Sequence, residues 1–408
     1  MAIIKPFGAL RPKPELAKQV AARPYDVLNS EEARAEAKGN PYSFLHITKS
    51  EIDLPTETDI HSALVYDKAK ANLHGFIHDS ILFHEQKPCY YIYQLTMNGK
   101  DQTGLVCISS VEDYFNDVIK KHEFTRPEKE KDRIDHMLAT EAQTGNVFLA
   151  CRDAAEINQL INQWKKTQEC VYDFIAEDNI GHRLWIIDEG ATIHSITRLF
   201  QTQVPCTYIA DGHHRAASAA KVSQQLPGND NAKYFLTTIF PASELKIFDY
   251  NRVIRDLNGL SAQEFLSKLA TDFAIEKAAA PFSPKQPHQF GMYLDQQWYI
   301  LESGNGTFEN DPIGILDVTI LSNNILDPIL GIKDQRTDKR IDFVGGIRGL
   351  AELERRVDSR EMKVAFSLHP VSIQQLFDIA DSGQTMPPKS TWFEPKLRDG
   401  LLTHTLNS

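Results

Sequence analysis

No stretch of this 408-residue chain strings together the ~18 apolar residues that a membrane helix needs, so a membrane-embedded role is not expected. Cysteine is scarce. Cys89, Cys107, Cys151, Cys170 and Cys206 are odd in number and form no CxxC pair, which argues against a disulfide framework or a structural zinc cluster. Positive charge is the minority sign, 44 Lys and Arg against 55 Asp and Glu for a net −11. That balance makes a nucleic-acid partner unexpected, and no basic helix or helix-turn-helix is evident. A Walker GxxxxGK[ST] and a protein-kinase signature are both missing, so any nucleotide is held in neither of those ways. The opening MAIIKPFGALRPKPELAK puts Lys and Pro where a signal peptide needs its apolar stretch, which predicts a cytoplasmic protein.

What remains is ordinary globular composition, 42% apolar and 24% charged, enough for two or three domains at ~150 residues each. Helical and strand-like patterns alternate, which predicts a mixed α/β (α+β) fold. The expected division is an N-terminal α/β segment over 1–103, a catalytic unit over 104–242 and a C-terminal α/β domain over 243–408. Asn29 with Glu32, and Ser261 with Glu264, have capping-box spacing. A long helix is expected from Ala63 to Glu85, a strand over 88–96, a buried strand at GLVCISS and an amphipathic helix at SVEDYFNDVIKK. VYDFIAEDNIGHRLWIID and FGMYLDQQWYIL read as hairpins.

Three segments carry chemistry. In HEFT, 122–125, Thr125 and Glu128 have capping-box spacing with Pro127 in the first turn, which sets His122 and Glu123 just before a helix. Lys129 and Arg133 would share one face of it, as would Glu128 and Asp132. In TYIADGHHRAASAAK a short strand runs through DGHHR, 211–215, into an Ala-rich helix. Gly212 permits a close backbone approach and the first helical amides are free, a geometry suited to phosphate. Arg215 adds a planar cation, and Asp211 is suited to holding Mg²⁺ or orienting a histidine. His213 and His214 are consecutive, so their side chains diverge. Gly345-Gly346 with Arg348 is a second, weaker anion cradle. MPPKSTWFEPK gathers Lys389, Ser390, Thr391 and Lys396 among prolines and aromatics, which suits either a ligand-facing loop or a clamp between domains.

Together HEFT, ADGHHR, PYDVL, NPYSFLH and MPPKSTWFEPK resemble a widespread bacterial and archaeal family of uncharacterised proteins, over nearly the whole chain. Its catalytic region is similar to the ParB/sulfiredoxin superfamily and to the free L-serine kinases within it. The resemblance implies a ParB/sulfiredoxin-like unit, Glu123 as general base, and Asp211, Gly212, His213, His214 and Arg215 as the phosphate and metal loop. It further implies ATP or ADP as donor, Mg²⁺, and transfer to a small hydroxyl acceptor, L-serine foremost. The interval between the two motifs is longer here than in the smaller kinases, because residues 153–187 intervene.

Phosphoryl transfer to a hydroxyl needs positioning, charge neutralisation and a place for one proton, and these residue types supply all three. Lys389, Ser390 and Thr391 are expected on the phosphates. His122, Lys129, Arg133, His182 and Arg183 are the candidates to hold the acceptor's amine and carboxylate. Two other readings stand beside the kinase: a metal-dependent phosphohydrolase, with Asp211 and the histidines activating water, and a ParB-like nucleotide-binding regulator without catalysis. The expected partner is a small molecule, with a homo-oligomer left open.

Overall fold

The computed structural model describes residues 1–407 and shows the mixed α/β architecture expected. Two compact units are present: Met1–Leu245 joined by the chain from Pro395 onward, and Lys246–Glu394. The boundary expected at 103/104 is therefore overturned, because it falls inside the strand Lys100–Ser110, which pairs with strands from both sides of it. The boundary near 242 lies three residues from the observed one, but the last residues return to the first unit rather than staying with the second.

The first unit is built on a nine-stranded sheet. Its strands are β1 (Ile4–Lys5), β2 (Tyr90–Met97), β3 (Lys100–Ser110), β4 (Ile119–Lys120), β5 (Val147–Cys151), β6 (Tyr172–Ile175), β7 (Gly181–Ile187), β8 (Thr207–Asp211) and β9 (Tyr234–Pro241). They lie in the order β4-β8-β5-β9-β3-β2-β7-β6, with β1 on β3. Only β8 with β4 and β9 with β5 run parallel. The central strands read as near-continuous apolar runs, as strands covered on both faces do. Leu105, Cys107, Leu149, Ile209 and Ile239 are all buried in one core with helices α3 (Ala155–Thr167), α4 (Gly190–Gln203) and α5 (His213–Gln225). A separate core under Phe44, Leu45, Leu73 and Phe76 belongs to the first hundred residues and α1 (Ala63–His78). Burying a Phe or Leu of this kind contributes ~1.5–3 kcal/mol.

Local signals hold where the chain is left to itself. The capping boxes Asn29–Glu32 and Ser261–Glu264 both form, and both expected hairpins are present. Elsewhere tertiary contacts win. The helix begun at Ala63 stops at His78, and Leu82–His84 pairs with Leu10–Pro12 instead. SVEDYFNDVIKK is helical only over Val111–Phe115. Asp113 there accepts a 2.6 Å hydrogen bond from the Ile3 amide, Asp117 turns left-handed, and Ile119–Lys120 leaves to pair with β8. Helix α2 (Pro127–Thr140) starts with Pro127, but Arg126 is its N-cap and the Thr125 hydroxyl bonds Glu130, so the Thr125–Glu128 box does not form.

The second unit carries a six-stranded antiparallel sheet: β10 (Tyr250–Ile254), β11 (Phe273–Ala278), β12 (Gln289–Leu294), β13 (Gln297–Ser303), β14 (Ile341–Gly345) and β15 (Val364–Leu368), ordered β11-β13-β12-β15-β10-β14. Val253, Tyr293, Trp298, Leu353 and Ala365 form its core under α7 (Leu350–Asp358), which follows α6 (Ala262–Leu269) in the chain. Arg348 lies in a 3-10 turn before Gly349, not in the helix.

Candidate active site

Strand β8 ends in Asp211, and a register shift between Ile209 and Asp211 bends its last residues out of the ladder. Only Gly212 separates strand from helix, so the loop expected over 211–215 shrinks to one residue and His213–Arg215 form the first turn of α5. Gly212 is the N-cap at φ +97°, ψ 31°, a left-handed conformation that strains any L side chain. No side chain caps this helix, so its leading amides are left without helical acceptors.

The residue before this helix is neutralised from far along the chain. Lys396 Nζ donates to Asp211 Oδ2 at 2.9 Å. Burial alone would raise the Asp211 carboxyl, but Lys396 and then Arg215 outweigh it and hold it well below the usual carboxylate range. The imidazole of His213 lies edge-on to His122, with ring centres 4.5 Å apart. Its Nε2 faces the His122 amide at 3.5 Å, which assigns the ring proton to Nδ1. Burial, reinforced by His122, pushes the His213 pKa far down, so the ring is neutral. Burial likewise takes His122 down to about 4. His213 Nδ1 lies 3.8 Å from Glu123 Oε2, and the Glu123 side chain is 42% exposed against 5% for His213. Glu123 thus stands at the solvent edge of a buried, uncharged histidine pair.

His214 accepts the Arg126 amide at 3.0 Å on Nε2, tying the start of α2 to α5. Lys221 and Thr125 both engage Glu130, and the Ser218 hydroxyl donates to the Glu130 carbonyl, a second tie between these helices. Arg215 folds back under the turn, with its Cζ 3.5 Å from where a Gly212 Cβ would stand. Its guanidinium donates to the Asn146 carbonyl and to Asp26 Oδ2 at 2.9 Å, and it is 5% exposed. Gly145, whose added Cβ would lie 3.1 Å from Arg215 Cδ, makes room for the side chain. Arg215 is therefore a positioning residue, and Lys396 supplies the cation beside Asp211. Asp399 lies deeper in the same charge cluster with neither carboxyl oxygen in a hydrogen bond of good geometry. Burial pushes it up to about 7 against the pull of Arg215.

The acceptor anchors do not assemble as one set. Arg133 is buried, paired with Asp132 at 2.6 Å and stacked 4.0 Å over the Tyr25 ring, and it shares with Arg215 the lining of a small cavity. Lys129, one turn earlier, is exposed, while its neighbour Glu130 is the residue of that turn that packs inward. The same twist separates Glu128, exposed, from buried Asp132. His182 is buried against Tyr93 at 2.8 Å and Arg398 at 3.4 Å, while Arg183 faces solvent in a pair with Asp173. Lys389, Ser390 and Thr391 belong to the second unit, where the Ser390 hydroxyl donates to the Pro387 carbonyl at 2.6 Å. The Gly345-Gly346 cradle is filled by the protein itself, since the Asp249 carboxylate lies 2.0 Å from where a Gly346 Cβ would stand.

Mg²⁺ fits only in part. Among the described residues no three His, Cys, Asp or Glu side chains gather as a metal site. Asp211 is the carboxylate of this turn that could offer such an ion an oxygen, and the ion would there supply positive charge. Sequence reasoning left Tyr25, Asp26, Asn146 and Asp399 without a role and noticed Lys396 without placing it. The PYDVL and EPKLRD segments were the available signals.

The profile of a family described as a protein of unknown function, DUF1015, matches residues 4–319. The chain belongs to this family. No curated protein matches it. Among solved structures it is similar to a conserved hypothetical protein from Pyrococcus furiosus, at 12% identity and TM-score 0.36 over 74% of this chain and 95% of that one. It is also similar to a free serine kinase in complex with AMP, at 11% identity and TM-score 0.37 over 73% and 91%. A third is C-terminally truncated SbnI from Staphylococcus aureus, at 11% identity and TM-score 0.41 over 74% and 87%.

Proposed function

We propose that the chain transfers a phosphoryl group from ATP or ADP to a small hydroxyl acceptor, with L-serine the first to test. The observation that carries this reading is the half-exposed Glu123 carboxylate at 3.8 Å from a neutral His213 in the first turn of α5. One end of such a site can receive anionic oxygens on free helical amides, and the other can receive a proton. His213, neutral with its proton on Nδ1, turns that N–H toward Glu123 at 3.8 Å, longer than a hydrogen bond, so the ring takes none of the carboxylate's lone pairs. Lys396 keeps Asp211 ionised, so that its carboxylate is available to a phosphate-bound Mg²⁺, whose chemistry would be to neutralise charge on the transferring group. Arg215, Asn146 and Asp26 fix the turn from below.

The test is to incubate the protein with nucleotide, Mg²⁺ and a panel of amino acids and to follow phospho-product by phosphorus NMR. Product requiring one hydroxyl amino acid supports transfer, whereas nucleotide consumed equally without acceptor makes the protein a hydrolase. Glu123→Gln keeps the shape and removes the basicity. It should lower turnover ~10²–10⁴-fold with nucleotide affinity nearly unchanged. Wild-type transfer by this variant would reduce Glu123 to a carboxylate that only steadies the turn.

A further inference from the structure

In the second unit Arg252 is a cation that no carboxylate among the described residues pairs with. Arg252 on β10 is 0% exposed. Its Nη1 donates to the Tyr250 carbonyl, Nη2 to the Pro388 carbonyl at 3.3 Å and Nε to Gln335 Oε1 at 3.4 Å. All three acceptors are neutral and two are long, and a guanidinium with five N–H groups has donors to spare. Its plane meets the rings of Phe343 at 4.8 Å and Tyr250 at 5.9 Å. Burial pushes its pKa down to about 10, the direction of a charge that lacks a partner. An unpaired buried charge is expensive, and folds keep one where something else neutralises it.

A second cation lies at the same ring. Lys389 Nζ is 5.6 Å from the Tyr250 centroid, and the side chain is exposed. Lys389 also sits at φ +58°, a left-handed conformation that strains a non-glycine residue and that collects at ligand clamps. Trp392 stands edge-on to Tyr250 at 5.0 Å, closing an aromatic wall. We infer that Arg252 and Lys389 together bind the oxyanion of a ligand, a carboxylate or a phosphate, beneath the MPPKST loop. The loop is shut over Arg252 through the long contact to the Pro388 carbonyl, and an oxyanion is the stronger acceptor for the same N–H. Opening the loop at Pro387–Ser390 would expose the guanidinium and carry Lys389 to the bound anion.

The experiment is hydrogen exchange on the whole protein, reading peptides over 333–340 and 384–392, as inorganic phosphate or acetate replaces chloride at constant ionic strength. These peptides lie within the second unit, so anion binding at α5 does not register there directly. Saturable change in either anion supports the site. Phosphate alone assigns a phosphorylated ligand, and acetate alone assigns a carboxylate. Lys389→Ala, on an exposed side chain, should shift the midpoint at least ~10-fold, the worth of one charge-assisted hydrogen bond. Arg252→Lys keeps the charge and loses the fork, and should shift it further. No change in wild type with either anion overturns the inference, as does a response identical in Lys389→Ala.

Discussion

Arg215 shows a motif residue spending its charge inward. Its neighbours in DGHHR read as a phosphate turn, yet the guanidinium bonds Asn146 and Asp26 inside the first unit. Arg215→Ala should therefore cost ~1–3 kcal/mol, because it leaves the buried Asn146 carbonyl without its donor and takes one cation from beside Asp399, while Asp26 is exposed. Urea denaturation checks this, and unchanged stability with only nucleotide binding lost would return Arg215 to the phosphates. Asp399 makes a pH prediction. Its folded pKa of about 7 lies above the ordinary carboxyl value, so its contribution is fully present below that value and is lost as pH rises toward 7. Asp399→Asn should gain on wild type by up to ~1.4 kcal/mol per pH unit across that window, measured by denaturation at stepped pH. The buried histidines, His122 and His136 lowered to about 4 and His182 to about 3, act oppositely, and stability they hold at neutral pH is lost as pH falls from the ordinary histidine value to those lowered ones. Glu123, Asp211 and His213 were legible because they lie in two short motifs. Lys396 and Asp26 were not, since partners 185 and 189 residues apart leave no local pattern.

At the level of the element, the strand-to-helix joint at Gly212 decides how the first turn of α5 is presented. An added Cβ would find ordinary contacts there, the nearest at 3.5 Å, so the constraint is the φ of +97° and not space. Gly212→Ala should cost ~1 kcal/mol or more and rotate the first turn, lowering turnover more than it lowers the melting temperature. A variant with wild-type kinetics would show that the leading amides are not used. Strands and capped helices could be read because their periodicity and caps are local. The early end of the Val111–Phe115 helix could not, because the Ile3 amide that captures Asp113 comes from 110 residues away.

For the whole molecule, the segment from Pro395 onward is woven into the first unit rather than hung from the second. Asp399 exchanges backbone hydrogen bonds with Ala22, Thr403 with Leu10, and His404–Thr405 pair with Ala142–Gln143. Lys396→Met removes the cation beside Asp211 while leaving this weave intact. It should raise the Asp211 pKa and weaken nucleotide binding ~10-fold, read by titration calorimetry, with the circular dichroism spectrum unchanged. Binding as tight as wild type would free Lys396 of that role.

The weave also sets an order of manufacture. Residues 246–394 must leave the ribosome before Pro395 can, and these 149 residues separate the first unit's sheet from the tail that pairs with Ala142–Gln143. At ~5–20 residues per second the nascent first unit waits roughly seven to thirty seconds with Asp211 lacking its lysine. A chain interrupted anywhere in that interval carries Glu123, Asp211 and His213 without the cation that Lys396 sets beside Asp211.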